Sequence, residues 1–111
     1  MKEFILIFKN THTVGFKPSP EQMEERMNWL AGIAAQNKLA DKGNTLSPVN
    51  AKIVKAVNAA TDGPYTEIKE YISGYMIVKT GTIDEAVEFA KANPILKNGG
   101  CIEIREVITL N

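Results

Sequence analysis

One cysteine, one histidine and one tryptophan among 111 residues leave little of the side-chain chemistry on which metal centres and nucleophilic active sites are usually built. A lone Cys101 rules out an internal disulfide, and with His12 as the single histidine no Cys/His zinc site can be assembled. No net charge is present either, since thirteen Lys and Arg residues balance thirteen Asp and Glu residues. Without a basic excess or a Lys/Arg run there is no field to hold a phosphate backbone or an anionic bilayer, so neither nucleic acid nor membrane is expected as a partner. The apolar run near the N-terminus, Phe4 to Phe8, is too short for a membrane span or a signal-peptide core, and a cytoplasmic location is the expectation. No phosphate-cradling glycine loop occurs, and no cofactor is expected.

What is present is the composition of one ordinary globular domain, 44% apolar and 23% charged, spanning 1–111. Phe4-Ile5-Leu6-Ile7-Phe8 is apolar at both parities, the pattern of a strand covered on both faces. Ser19, Pro20 and Gln22 form a capping-box start for a helix whose apolar stripe reads Met23, Met27, Leu30 and Ala34, widened by Ile33. Its exit falls between Asn37 and Lys42-Gly43-Asn44. Residues 45–60 suit a helical face about as well as they suit a strand pair. Asp62-Gly63-Pro64 reads as a turn.

A second double-sided strand runs from Ile72 to Lys79, with Ile72, Met76 and Val78 on one face and Tyr75 and Ile77 on the other. Thr82 and Glu85 suggest a second capping box before the stripe Ile83, Ala86, Val87 and Ala90, which stops at Asn93-Pro94. The last strand alternates Ile102 and Ile104 against Glu103 and Arg105. This order predicts an α+β fold, a ferredoxin-like βαββαβ plait with both helices on one face of an antiparallel sheet and extra short strands within 45–66. The other face would expose apolar residues, for which a second copy of the chain is the simplest cover.

The segment Thr61-Asp62-Gly63-Pro64-Tyr65-Thr66-Glu67-Ile68-Lys69-Glu70, followed by Gly74-Tyr75, resembles the motif of the DGPF (DGPFAETKE) proteins within the wider YciI-related group. Ser19-Pro20-Glu21, Asp84-Glu85-Ala86, Pro94 and Glu103-Ile104-Arg105 are similar to that family too, so the likeness covers nearly the whole chain. Tyr65 stands where Phe is usual, Ile68 for Thr, Ser73 for the first of two glycines and Glu106 for Pro. The resemblance implies a dimeric α+β barrel of ferredoxin-like subunits and favours short strands over a helix within 45–60. Relatives of the YciI type carry a His and an Asp proposed as an acid-base pair; Gln22 occupies the His position here and Asp41 matches the Asp, and an amide cannot act as a base.

Candidate bases are His12, Asp62 and Glu67, the first a loop histidine near neutrality and the others carboxylates beside a central strand. Each has a simpler reading: a solvated loop histidine, a turn aspartate bonding its own backbone, a surface ion pair with Lys69. Candidate ligand-binding residues are Tyr65, Tyr75, Met76 and Arg105, the arginine being able to grip a carboxylate with two parallel hydrogen bonds or, equally, to pair with a neighbouring acid. Trp29 and Phe89, off the centres of their stripes, are expected either in a groove between subunits or as extensions of the core. Cys101 is expected to be buried. Two functions fit: a small-molecule binding or regulatory homodimer, or a cofactor-free enzyme working by proton transfer on a small organic acid or lactone.

Overall fold

The computed structural model describes residues 1–11, 18–56, 59–62 and 71–110. Its elements run β1 (Lys2–Asn10), α1 (Pro20–Ala35), β2 (Leu39–Thr45), β3 (Lys52–Ala56), β4 (Ala59–Asp62), β5 (Tyr71–Thr80), α2 (Ile83–Lys91), a 3-10 turn (Pro94–Asn98) and β6 (Cys101–Glu106). Four strands form one antiparallel sheet in the order β2-β5-β1-β6, while β3 and β4 make a separate two-stranded hairpin. The arrangement is consistent with a ferredoxin-like α+β fold carrying an inserted hairpin.

The two strands with apolar residues at both parities occupy the centre, as their pattern requires. On the face covered by the helices, Phe4 pairs with Val78 and Leu6 lies between Met76 and Ile104. These side chains form the core with Ile33 of α1 and Ala86 and Ala90 of α2; Leu6 and Val78 are fully buried. Burial of each large aliphatic residue is worth about 1.5–3 kcal/mol. The opposite parity, Ile5 and Ile7 on β1 with Tyr75 and Ile77 on β5, faces away from both helices and is only partly buried by its neighbours.

Capping starts α1 as expected: Ser19 Oγ accepts from Gln22 N (3.1 Å) and Gln22 Oε1 accepts from Ser19 N (2.7 Å). Its end is earlier than the Lys42-Gly43-Asn44 alternative. Asn37 takes φ 58, the left-handed conformation that terminates a helix, and residues 39–45 are already strand. In α2, Thr82 Oγ1 accepts from Glu85 N, but the Glu85 carboxylate accepts from Gly81 N and pairs with Lys38 instead of closing the box on Thr82. Buried Thr80 is satisfied by donating to Thr82 O at 2.7 Å.

Three readings of side-chain direction are corrected. The α1 stripe is rotated: Trp29, Leu30 and Ile33 pack on the core, whereas Met23 and Met27 are 46% and 59% exposed and Ala34 is exposed. Trp29 takes their place because its ring meets Phe8 edge-on, centroids 6.3 Å apart, and its Nε1 donates to Phe89 O at 2.8 Å, tying α1 to α2. Ile72 is exposed and leaves the Met76 and Val78 face because the β1–β5 register slips: Phe8 pairs with Gly74 and Lys9 with Ile72, leaving Ser73 as a bulge residue. Cys101 is exposed, since it shares the parity of Glu103 and Arg105. Tyr71, two residues before the bulge at Ser73, is turned inward and buried.

Gly43 sets how closely β2 approaches β5. Its φ is +68, and a Cβ there would lie 1.6 Å from Tyr75 O. Left-handed strain and the backbone clash add, so Gly43→Ala should lose about 2–5 kcal/mol, read as a lower urea midpoint at unchanged m-value.

Candidate functional site

Because α1 touches the sheet mainly through its C-terminal half, its N-terminal half leaves a cleft of about 670 Å³ beneath it. That volume lies within the range of small-molecule sites. Met23, Met27 and Leu30 of α1 form one wall; Phe8, Trp29 and Met76 form the apolar interior; Gly43, Asn44 and Leu46 close the β2 side, and Asn93 to Ile95 the other. The walls are therefore mainly hydrocarbon and thioether, with polar groups placed singly.

Those polar groups come from identifiable local structure. Asn10 Nδ2 donates to Ser73 Oγ (2.8 Å), and Ser73 Oγ donates to Phe8 O (3.3 Å), so the bulge is held by side chains that line the cleft. Asn10 Oδ1 is buried and has no hydrogen-bond partner among the described residues. An unmatched buried acceptor of this kind costs about 1–3 kcal/mol. Arg26 projects from α1 toward the end of β2, its Nη2 3.4 Å from Thr45 Oγ1, and Lys42 comes from β2 itself. No Asp, Glu or His is found among the described lining residues.

The residues singled out from sequence separate. Tyr75 and Met76 both reach the cleft, Met76 as its buried floor and Tyr75 at the β2 edge, where Asn44 Nδ2 donates to its hydroxyl (3.0 Å). Arg105 is on β6, on the sheet face away from the helices, where it pairs with Glu103. Asp62 ends β4, opposite Lys52 in the hairpin register. His12, Tyr65 and Glu67, like the Gly63-Pro64 turn, lie outside the described residues. Gln22 lines the cleft while its amide oxygen serves the helix cap, and Asp41 Oδ1 accepts from Gly43 N at 2.8 Å. Among the described residues no group of three potential metal ligands occurs, and no helix is long and apolar enough to cross a membrane.

Sequence reasoning did not single out Arg26 or Lys42 as site residues, and it placed Met23 and Met27 in the core stripe. A usable signal existed: Gln22, Arg26, Trp29, Leu30 and Ile33 recur at helical spacing, so a cation sits inside the stripe that faces the sheet.

A residue profile of the YCII-related domain matches residues 3–111. The chain belongs to the YCII-related family. An uncharacterized protein of Rhizobium meliloti (strain 1021) is 32% identical over 117 residues, an alignment that covers 92% of this chain and 89% of that relative. The YCII-related match takes in all of the sheet but Lys2, so both the cleft and the helix-free face belong to the family domain.

On that second face, Lys9, Glu103 and Arg105 form a charged cluster beside Ile5 and Ile7. Lys9 Nζ lies 2.7 Å from Glu103 Oε1, and Arg105 pairs with the other carboxylate oxygen. Hydrogen bonds from Lys9 and then Arg105, reinforced by their charges, hold the Glu103 carboxyl down at about 2. Its ionised form is favoured by folding, so its contribution is fully present above the ordinary value of 4.5 and is lost as pH falls toward 2. Glu103→Gln should therefore show a shallower fall in thermal midpoint than the parent between pH 4.5 and 2.5, with the difference between them narrowing as pH falls.

Proposed function

We propose that this YCII-related protein is a small-molecule binding or regulatory protein that works as a homodimer. The observation that carries the binding reading is the cleft: about 670 Å³, with apolar walls and a few single polar groups. The homodimer reading rests on the helix-free face, where Ile5, Ile7 and Ile77 with Tyr75 make a contiguous apolar patch beside the Lys9, Glu103 and Arg105 cluster. Two copies packed through this face would form a dimeric α+β barrel, isologous about a twofold axis. The DGPF-type segment 61–70 and a cytoplasmic location are parts of the same reading.

In that dimer Tyr75 and Arg105 would lie near the subunit boundary, and Met76 beneath the cleft. The competing reading, a cofactor-free enzyme acting on a small organic acid or lactone, needs a base. His12, Asp62 or Glu67 would have to supply it, because the described lining of the cleft holds no carboxylate or imidazole.

Native mass spectrometry of protein purified gently from cells tests both parts. The expected spectrum is a dimer carrying extra mass that leaves on denaturation; a monomer with no added mass would contradict the proposal. Ile7→Lys places a charge in the patch and should sediment as a folded monomer at concentrations where the parent is a dimer. Retention of the dimer by that variant would exclude this face as the interface.

A further inference from the structure

We infer that the cleft is selective for a small amphipathic monocarboxylate, with its anionic head at Arg26 and its apolar body against Met23, Met27 and Leu30. This rests on the binding reading above and adds the chemical class of the ligand.

Charge is the first argument. Arg26 and Lys42 are the charged residues among the described lining, and both are positive. No ion pair holds either of them among the described residues. The carboxylates nearest to them in sequence are engaged elsewhere: Glu25 with Lys97 at 2.9 Å, and Asp41 with the Gly43 N–H at 2.8 Å. In a chain with no net charge, a cleft with two cations and no described anion is a local departure that an anionic ligand would balance.

Placement is the second. Arg26 stands one helical turn from Met23 on one side and Leu30 on the other, so a ligand lying along α1 meets hydrocarbon and guanidinium within one reach. The guanidinium fork offers two parallel donors that match a carboxylate, and its long stem remains adjustable because its bond to Thr45 is long, at 3.4 Å. The body is argued from the walls. Met23 and Met27 are exposed over the cleft, Met76 forms its floor, and thioethers pack well against an aromatic ring. An aryl-alkyl carboxylate fits that combination better than a sugar or a phosphate ester, whose hydroxyls and second charge would face hydrocarbon.

Three probes of matched chain length separate the possibilities: 4-phenylbutyrate, its neutral isostere 4-phenylbutyramide, and the cation 4-phenylbutylamine. Each is titrated into the full-length protein by calorimetry and by the fluorescence of Trp29, the single tryptophan and a lining residue. The expected result is saturable binding of the carboxylate, with the amide and the amine weaker by about tenfold or more. Arg26→Gln should lower the carboxylate to the level of the amide. Lys42→Gln, at an exposed strand position, should lower it too, and reads the same effect should the first variant fail to fold. Equal binding of all three probes, a preference for the amine, or carboxylate selectivity that survives both substitutions would overturn the assignment while leaving a small-molecule cleft. Silence of all three probes at millimolar concentration would remove the binding reading together with it.

Discussion

Everything in this domain hangs on the antiparallel pairing of β1 with β5. Both strands are apolar at both parities, and they occupy the two central positions of the sheet, each hydrogen-bonded to a neighbour on either side. Pairing Phe4 with Val78 and Leu6 with Met76 gathers one set of side chains under α1 and α2, and the same register delivers Ile5, Ile7, Tyr75 and Ile77 to the face beyond. One constraint thus produces a core and a half-buried apolar patch together.

A local fault in that pairing shapes the cleft. The bulge at Ser73 re-aims the start of β5, so that Tyr71 turns inward and Ile72 outward, and Asn10 is drawn into a hydrogen bond with the bulge hydroxyl. The tight approach of β2 at Gly43 bounds the other side. Over both lies the first half of α1, which is anchored at its far end by Trp29 and Ile33 and leaves its methionines open. The cleft is the space between a helix fixed at one end and a sheet whose central strand β5 is bent by one residue.

Strand positions were legible where burial dictates composition. Phe4 to Phe8, Ile72 to Lys79 and the alternating 102–105 betray themselves by parity, whereas the hairpin falls in a stretch whose composition suits helix and strand alike and where only the family resemblance favours strands. Ser19 and Gln22 marked a helix start because orphan N–H groups demand such residues. The helix face was misjudged for a physical reason: methionines look like core by hydropathy, but on α1 the tryptophan, with a partner for its N–H on α2, makes the contact. A bulge leaves no composition signal of its own, so parity alone puts Ile72 on the wrong face. Arg26 was hidden because a cation in a stripe reads as surface until the opposite wall is known. For Tyr75 and Arg105, parity sufficed to place them on the face away from the core residues; what parity could not convey is that Tyr75 also stands at a cleft edge.

The central claim is that the two faces of one sheet do two different jobs, association on one and ligand binding on the other. Methyl NMR of isoleucine- and methionine-labelled protein tests it directly, with one series by dilution and one by addition of 4-phenylbutyrate. The account predicts that dilution moves the methyls of Ile5, Ile7 and Ile77, and that the carboxylate moves those of Met23 and Met27. If both series perturbed the same methyls, or if dilution left the three isoleucines unmoved while the ligand shifted them, the division of labour would be contradicted.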